Sequence, residues 1–190
     1  MFAQALIFVV ETVCGFFTFA LLLRFYLQWA RAAQRNPLSD FVNAVTGWLV
    51  KPARRIVPGL WGLDLATLAL AWLVQTAQTA ATLTLKGFEL SPAGGALLAV
   101  LAIAAVALIR LLIYVLIFAL IGQAIISFVN PYSPFAPLLA AMTRPFLRPL
   151  QKRIPPVGNV DLTPLIAIVV LQLLLMVPVA ILETAAVRLL

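Results

Sequence analysis

Long apolar stretches alternate with shorter polar, proline-rich ones along this chain, and the alternation is played twice. A mostly apolar run over residues 5–29 predicts a helix long enough to cross the ~30 Å hydrocarbon core of a bilayer. Residues 64–85, 93–128 and 161–187 predict three more. The third is unusually long, since roughly 36 residues rising 1.5 Å each make about 54 Å of helix. A hairpin of two short spans there would need a turn, but residues 96–120 hold no Gly, Pro or Asn. One long helix that tilts or projects beyond the bilayer is therefore expected.

The polar stretches have their own pattern. Asn36-Pro37 and Ser133-Pro134 each read as a helix-capping residue followed by proline at the first helical position. Behind the first, Leu38, Phe41, Val42, Val45, Trp48 and Leu49 fall on one helical stripe. Behind the second, Phe135, Leu138, Leu139, Met142 and Phe146 do the same. Amphipathic helices are expected over residues 37–50 and 134–148, each followed by bases and a proline. Beside two spans, such a helix would lie in the membrane interface. A re-entrant segment is the alternative, and it would need a protein-lined or watery cavity.

The two halves are copies. Thr46, Pro52, Pro58 and Asp64 recur as Thr143, Pro149, Pro155 and Asp161, 97 positions on and without a gap. Pro37, Leu65, Leu68 and Gln75 recur as Pro134, Leu162, Leu165 and Gln172, while Lys51 and Arg55 recur as Arg148 and Lys152. The expected organisation is two tandem units, residues 1–90 and 91–190, each a span, an amphipathic helix and a second span. The fold class is all-α and polytopic, with four transmembrane helices in two parallel repeats.

Composition agrees with this reading. Of 190 residues, 64% are hydrophobic and 10% charged, against about 45–50% and about 25% in soluble domains. The N-terminal stretch lacks a basic leader and a small-residue cleavage pattern, so a retained span is expected. Cys14 is the only cysteine and histidine is absent. That removes any intrachain disulfide and the commonest general base and metal ligand. No cofactor or metal is expected. The net charge of +7 is read as span-end bases meeting anionic lipid, not as a nucleic-acid surface, because no basic aromatic platform accompanies it.

Charge also orients the chain. Arg31, Arg35, Lys51, Arg54 and Arg55 follow the first span, and Arg144, Arg148, Lys152 and Arg153 follow the third. Between the second and third spans only Lys86 stands, offset by Glu89. The positive-inside rule places both basic loops in the cytoplasm and both termini outside.

Polar residues within spans are the natural functional candidates. Gln75 and Gln172 each lie 11 residues past their aspartate, about 16 Å in and near the midplane. They read either as a facing gate or ion-coordinating pair, or as a plain interhelical hydrogen bond. Glu11 maps by the repeat to within two residues of Arg110. An intramembrane ion pair between the first and third spans is expected, with a transport role as the alternative. Arg24 either snorkels to the cytoplasm or meets Asp64 or Asp161. Those aspartates read as helix caps or as a cation site at the cytoplasmic mouth. Trp48, Lys51, Arg54, Arg55, Phe146, Arg148, Lys152 and Arg153 are the expected surface for anionic lipid or a cytoplasmic protein partner.

Leu21-Leu22-Leu23-Arg24, Gln28-Trp29, Asn36-Pro37, Thr46, Lys51-Pro52, Arg54-Arg55, Pro58 and Asp64 together resemble the motif of the YggT family. Thr143, Arg148-Pro149, Lys152-Arg153, Ile154-Pro155, Gly158 and Asp161 resemble it again. The family comprises small bacterial inner-membrane proteins with plastid relatives. The resemblance implies a role in osmotic-stress tolerance through ion uptake. It also implies ties to division-linked membrane organisation and, in plastids, to cytochrome haem attachment or nucleoid distribution. It implies no enzymatic activity and no catalytic residue. The second unit departs from the motif, with Ile121, Ile125 and Ile126 where the first has Arg24, Gln28 and Trp29. Two functions remain open. One is ion homeostasis, with a pore built by homo-oligomers. The other is a scaffold recruiting a partner or anionic lipid. An intramembrane enzyme is not expected, because no Ser–Lys, Ser–His or mid-span aspartate pair is present.

Overall fold

A computed structural model describes residues 1–32, 36–57, 59, 62–88, 95–130, 132–154 and 161–190. Arg35, Pro58, Glu89, Pro155 and Gly158 lie outside the described residues. Among the described residues every regular element is a helix: α1 (Phe2–Trp29), α2 (Pro37–Ile56), α3 (Leu65–Leu85), α4 (Gly95–Val129), α5 (Ala136–Gln151), α6 (Thr163–Leu174) and α7 (Ala180–Val187). The segment Leu175–Val179 joins α6 to α7 as one widened π turn, with Pro178 inside it. Proline has no N–H and its ring crowds the carbonyl one turn back, so local widening keeps the helix going past it. The last predicted span is thus one rod with a bulge.

Among the described residues, three helices are long and apolar enough to cross a membrane: Phe2–Trp29, Gly95–Ser127 and Thr163–Val187. The expected fourth, α3, is not among them. Its 21 residues suffice in length, but Gln75, Thr76, Gln78, Thr79, Thr82 and Thr84 dilute its apolar character. It packs lengthwise on α1 and also on α4. The long third stretch is one unbroken 35-residue helix, as its lack of turn residues predicts.

Both amphipathic helices form. Asn36 caps α2, its Oδ1 accepting the Ser39 amide at 2.8 Å, with Pro37 leading the first turn. The helix continues past Pro52 to Ile56, six residues beyond the expected end. The second capping expectation shifts: α5 begins at Ala136, and Ser133 accepts the Phe135 amide at 3.3 Å from outside the helix. Pro137, and not Pro134, takes the early helical position.

The main core lies where α1, α4 and the two amphipathic helices meet. Leu23, Tyr26 and Leu27 of α1 pack with Val42 of α2, with Ile113 and Leu120 of α4, with Leu138, Met142 and Leu147 of α5, and with Ala167 and Leu171 of α6. A smaller cluster joins Leu21, Val50, Ala71 and Leu108. Fully burying a leucine or methionine stabilises by about 1.5–3 kcal/mol, so α2 and α5 are held to the bundle by their apolar stripes and do not hang from it.

Candidate functional site

Both amphipathic helices dock on the same end of α1. Arg24 Nη1 donates to Thr46 Oγ1 of α2 at 2.8 Å. Two residues on, the Tyr26 hydroxyl donates to the Met142 carbonyl of α5. Trp29 lies 6.1 Å from Phe146, ring centre to ring centre. The two basic segments therefore share one end of the bundle.

Equivalent side chains do equivalent work in the two halves. Thr46 is buried and bonds back to the Val42 carbonyl at 2.6 Å; Thr143, 97 positions on, is buried and bonds back to the Leu139 carbonyl at 2.9 Å. Asp64 is buried at 5% exposure and receives the Arg54 guanidinium (Nε to Oδ2, 3.2 Å) and the Thr67 amide (3.3 Å). Asp161 receives Gln151 Nε2 at 2.9 Å and the Thr163 amide at 2.9 Å. Gln151 occupies the position of Arg54 in the second unit. Asp64 is the N-cap of α3, whereas Asp161 stands one residue before Leu162, the N-cap of α6, and accepts the first helical amide from there.

Their protonation follows from these contacts. Burial works to raise the pKa of Asp64, but the hydrogen bonds from Arg54 and Thr67 and the arginine charge outweigh it and hold the carboxyl below its ordinary value. Asp161 is also held low, with slight burial opposed by its bonds from Thr163 and Gln151. Arg24, Asp64 and Asp161 do not form a single constellation. Arg24 has Thr46 as its hydrogen-bond partner and lies within electrostatic range of Arg54 and Asp64, while Asp161 is held by its own unit.

A cavity of about 330 Å³ opens beside this junction, lined in part by Arg24, Gln28, Ser39, Asn43 and Arg54. A second, of about 370 Å³, opens at the corresponding place by α5, lined in part by Gln123, Thr143, Arg144, Arg148 and Gln151. Asn43 and Arg54 of the first correspond to Ala140 and Gln151 of the second.

Two expected pairings are corrected. Arg110 forms its ion pair with Glu183 of α7 and not with Glu11. Glu11 is exposed on α1, whereas α4 packs against α7, which puts Glu183 beside the arginine. Gln75 and Gln172 share no hydrogen bond. Gln75 lies on α3, packed on α1 and α4, while α6 packs on α4 and α5 and leaves Gln172 exposed.

The surface residues divide. Lys51, Arg55, Arg148, Lys152 and Arg153 are exposed. Trp48 is 65% exposed, with Phe17 meeting its ring edge-on at 6.1 Å. Arg54 is half-exposed, its charge engaged by Asp64. Phe146 is drawn partly into the core by Trp29.

Sequence reasoning missed Glu183, Gln123 and Gln151 as partners. A signal for Glu183 existed: it is the sole acid of Thr163–Val187, and Arg110 the sole base in the third span. Counted from the end that carries α5, both sit about 28–30 Å in.

The CCB3/YggT family profile matches residues 3–85 and again residues 102–182. The chain belongs to the CCB3/YggT family. It carries two YggT units in tandem, and the repeated Thr46/Thr143 and Asp64/Asp161 contacts fall inside them. An uncharacterised protein of Pseudomonas aeruginosa is 38% identical over 172 residues, covering 90% of this chain and 86% of its own. The uncharacterised protein YggT of Escherichia coli K12 is 30% identical over 173 residues, covering 90% and 87%. A third uncharacterised relative, from Vibrio alginolyticus, is 28% identical over 166 residues, covering 87% and 88%. No solved structure matches significantly. This is a YggT-family protein with helices suited to crossing a membrane more than once.

Proposed function

We propose that this YggT protein is a non-enzymatic scaffold of the bacterial inner membrane. It holds two basic amphipathic helices as a shelf at the cytoplasmic leaflet and gathers anionic lipid there. The observation that carries the reading is the docking of α2 and α5 on one end of α1, through Arg24–Thr46 and Tyr26–Met142. Around that end stand the exposed bases Lys51, Arg55, Arg148, Lys152 and Arg153. Each basic residue near an anionic surface contributes about 1 kcal/mol of attraction.

The scaffold has four spans in two parallel units, residues 1–90 and 91–190, with both termini periplasmic. The fourth span is α3. In support, its start lies by the end of α1, where Gln28 reaches the Gly62 carbonyl at 3.4 Å, and α3 then packs along α1. Packing against two apolar helices offsets the cost of its threonines and glutamines.

The test uses proteoliposomes with self-quenching labelled phosphatidylglycerol. The wild type should concentrate the label, and a variant with all five exposed bases changed to glutamine should not. Equal quenching by both would sink the scaffold reading. Thiol labelling of single cysteines placed at Arg55 and Lys152 should find both on the cytoplasmic side.

A second reading, ion homeostasis through an oligomeric pathway, is favoured by one observation. Side-chain oxygens of Thr18, Gln78 and Thr82 are buried without a hydrogen-bond partner. Unpaired polar atoms in an apolar bundle are costly, and an ion or water file would satisfy them. Potassium flux into liposomes, abolished by Gln78→Leu, would support it; no flux above protein-free vesicles would remove it.

A further inference from the structure

The cavity at the end of α1 carries more positive charge than its surroundings neutralise. Arg24 and Arg54 both line it, along with Gln28, Ser39 and Asn43. One carboxylate, Asp64, serves the two arginines, and it is taken by Arg54. Arg24 uses a single N–H, to Thr46 Oγ1, out of the five that a guanidinium offers. Its remaining donors sit at the wall of the cavity. Ser39 Oγ accepts from Asn36 at 2.8 Å, so its own proton remains for a further acceptor.

The depth is right for a particular kind of anion. Arg24 is five residues short of the end of α1 at Trp29, or about 7 Å by helical rise. With 28 residues, about 42 Å of helix centred on a ~30 Å hydrocarbon core, α1 would hold Arg24 near the edge of that core, within reach of lipid phosphates.

The second unit supplies an internal control. It keeps the cavity, the buried threonine and the aspartate at the helix start. It replaces these two arginines together, with Ile121 for Arg24 and Gln151 for Arg54, and the arginines that line its own cavity, Arg144 and Arg148, stand at other positions of the repeat. Were Arg54 there only to pair with the cap, the second unit would keep it beside Asp161. The neutral Gln151 does that work at 2.9 Å, so the aspartate does not require an arginine. The two charges come and go as one unit, as two halves of an anion clamp would.

We propose that the Arg24–Arg54 cavity binds a phosphate-bearing anion, with the Arg24 guanidinium as the principal clamp. Arg54 is shared between Asp64 and the ligand, and Ser39, Gln28 and Asn43 provide neutral contacts. A planar guanidinium fork suits two phosphate oxygens at once. This goes beyond the scaffold reading, since none of these residues belongs to the exposed shelf of bases.

The experiment uses the full chain in phosphatidylcholine nanodiscs. One arm adds phosphatidylglycerol and counts the lipid retained on the protein by native mass spectrometry. The other adds inorganic phosphate and follows binding by calorimetry. Retention in the first arm identifies a lipid headgroup as the source, and binding in the second a soluble phosphate. In whichever arm responds, Arg24→Gln and Arg54→Gln should each weaken binding by about tenfold or more, the effect of losing one charge-assisted contact. Lys86→Gln, an exposed base at the far end of α3 that belongs to neither the shelf nor the cavity, should leave it within twofold. Arg54→Gln installs the residue that the second unit already tolerates, so it keeps the question open to test if Arg24→Gln fails to assemble. Binding in neither arm, or Arg54→Gln and Lys86→Gln losing equally little, would overturn the proposal. The five-base glutamine variant of the shelf leaves Arg24 and Arg54 intact, so loss of the scaffold effect and loss of the clamp are read separately.

Discussion

Replacing Asp64 by alanine and by asparagine separates two contributions of one side chain. Its carboxylate caps α3 through the Thr67 amide and pairs with Arg54. Losing a cap costs roughly 0.5–2 kcal/mol, and asparagine caps about as well as aspartate. The ionic part is smaller, because the Arg54 side chain is 49% exposed and half-solvated pairs contribute at most about 1 kcal/mol. Asp64→Ala should therefore cost about 2 kcal/mol and Asp64→Asn about 0.5–1 kcal/mol. Asp161 is the comparison, since its partner Gln151 carries no charge. Asp161→Ala should cost about 1 kcal/mol and Asp161→Asn close to nothing. Unfolding in mild detergent, followed by tryptophan emission, gives the order Asp64→Ala, then Asp161→Ala and Asp64→Asn, then Asp161→Asn. The pH dependence has a definite sign. Both folded carboxyls titrate below their ordinary value, so their stabilisation is complete above the unfolded pKa of about 3.9. It is lost as pH falls through the lowered folded values. Asp64→Asn should flatten part of that acid decline. If Asp64→Asn proves as damaging as Asp64→Ala, or the acid limb is unchanged, the division into cap and charge is wrong.

Glu183→Gln should destabilise the bundle by about 1–2 kcal/mol, less than the ~2.5–3.5 kcal/mol of an unpaired charge at the midplane because the pair lies toward one boundary. Glu11→Gln should do nothing measurable, and exchanging Arg110 and Glu183 should recover at least half the loss; denaturation midpoints of the three variants decide it. Thr46→Val removes the acceptor of a half-buried guanidinium and should cost about 1–3 kcal/mol. Thr143→Val, facing the neutral Gln123, should cost about 1 kcal/mol, with protease access to α2 and α5 as the readout.

What could be read from the residues was whatever periodicity and local chemistry determine. The unbroken α4 followed from the absence of turn residues, and the Asn36 and Asp64 caps followed from side chains that bond to amides three positions on. The common end of the two basic segments followed from charge counting. Lateral placement was not legible in this way. Counting residues gives depth, and at the depth of Arg110 two acids were available. Only the packing of α7 against α4 chooses Glu183 over Glu11. The two glutamines failed for a related reason: equal depth and a sequence repeat do not make α3 and α6 neighbours. The late start of α5 reflects two closely spaced prolines, Pro134 and Pro137, either of which suits a first turn. The exit of α3 from the group of strongly apolar helices is a matter of composition that a smooth apolar reading passed over.

The two units keep a common frame and differ in its charge, which bears on how a doubled chain can work. A pathway running between two equivalent halves would have matched linings, with polar groups repeated at equal depth. The repeated groups here are the buried threonines, the aspartates at the helix starts and the amphipathic stripes, which hold helices together, and the one repeated mid-span pair, Gln75 and Gln172, shares no hydrogen bond and leaves Gln172 exposed. The groups that differ, Arg24 against Ile121, Arg54 against Gln151 and Gln28 against Ile125, gather at one cavity. Duplication has therefore preserved the parts that build the shelf and kept the Arg24–Arg54 pair at one corner of the first unit, while the second cavity is lined by Arg144 and Arg148 at other positions. A chain in which Ile121→Arg and Gln151→Arg restore that corner to the second unit should fold, because the frame is already there. It should also bind twice the phosphate-bearing ligand of the parent, as counted by native mass spectrometry. An unchanged stoichiometry in a folded variant would mean that the corner depends on more than its two arginines.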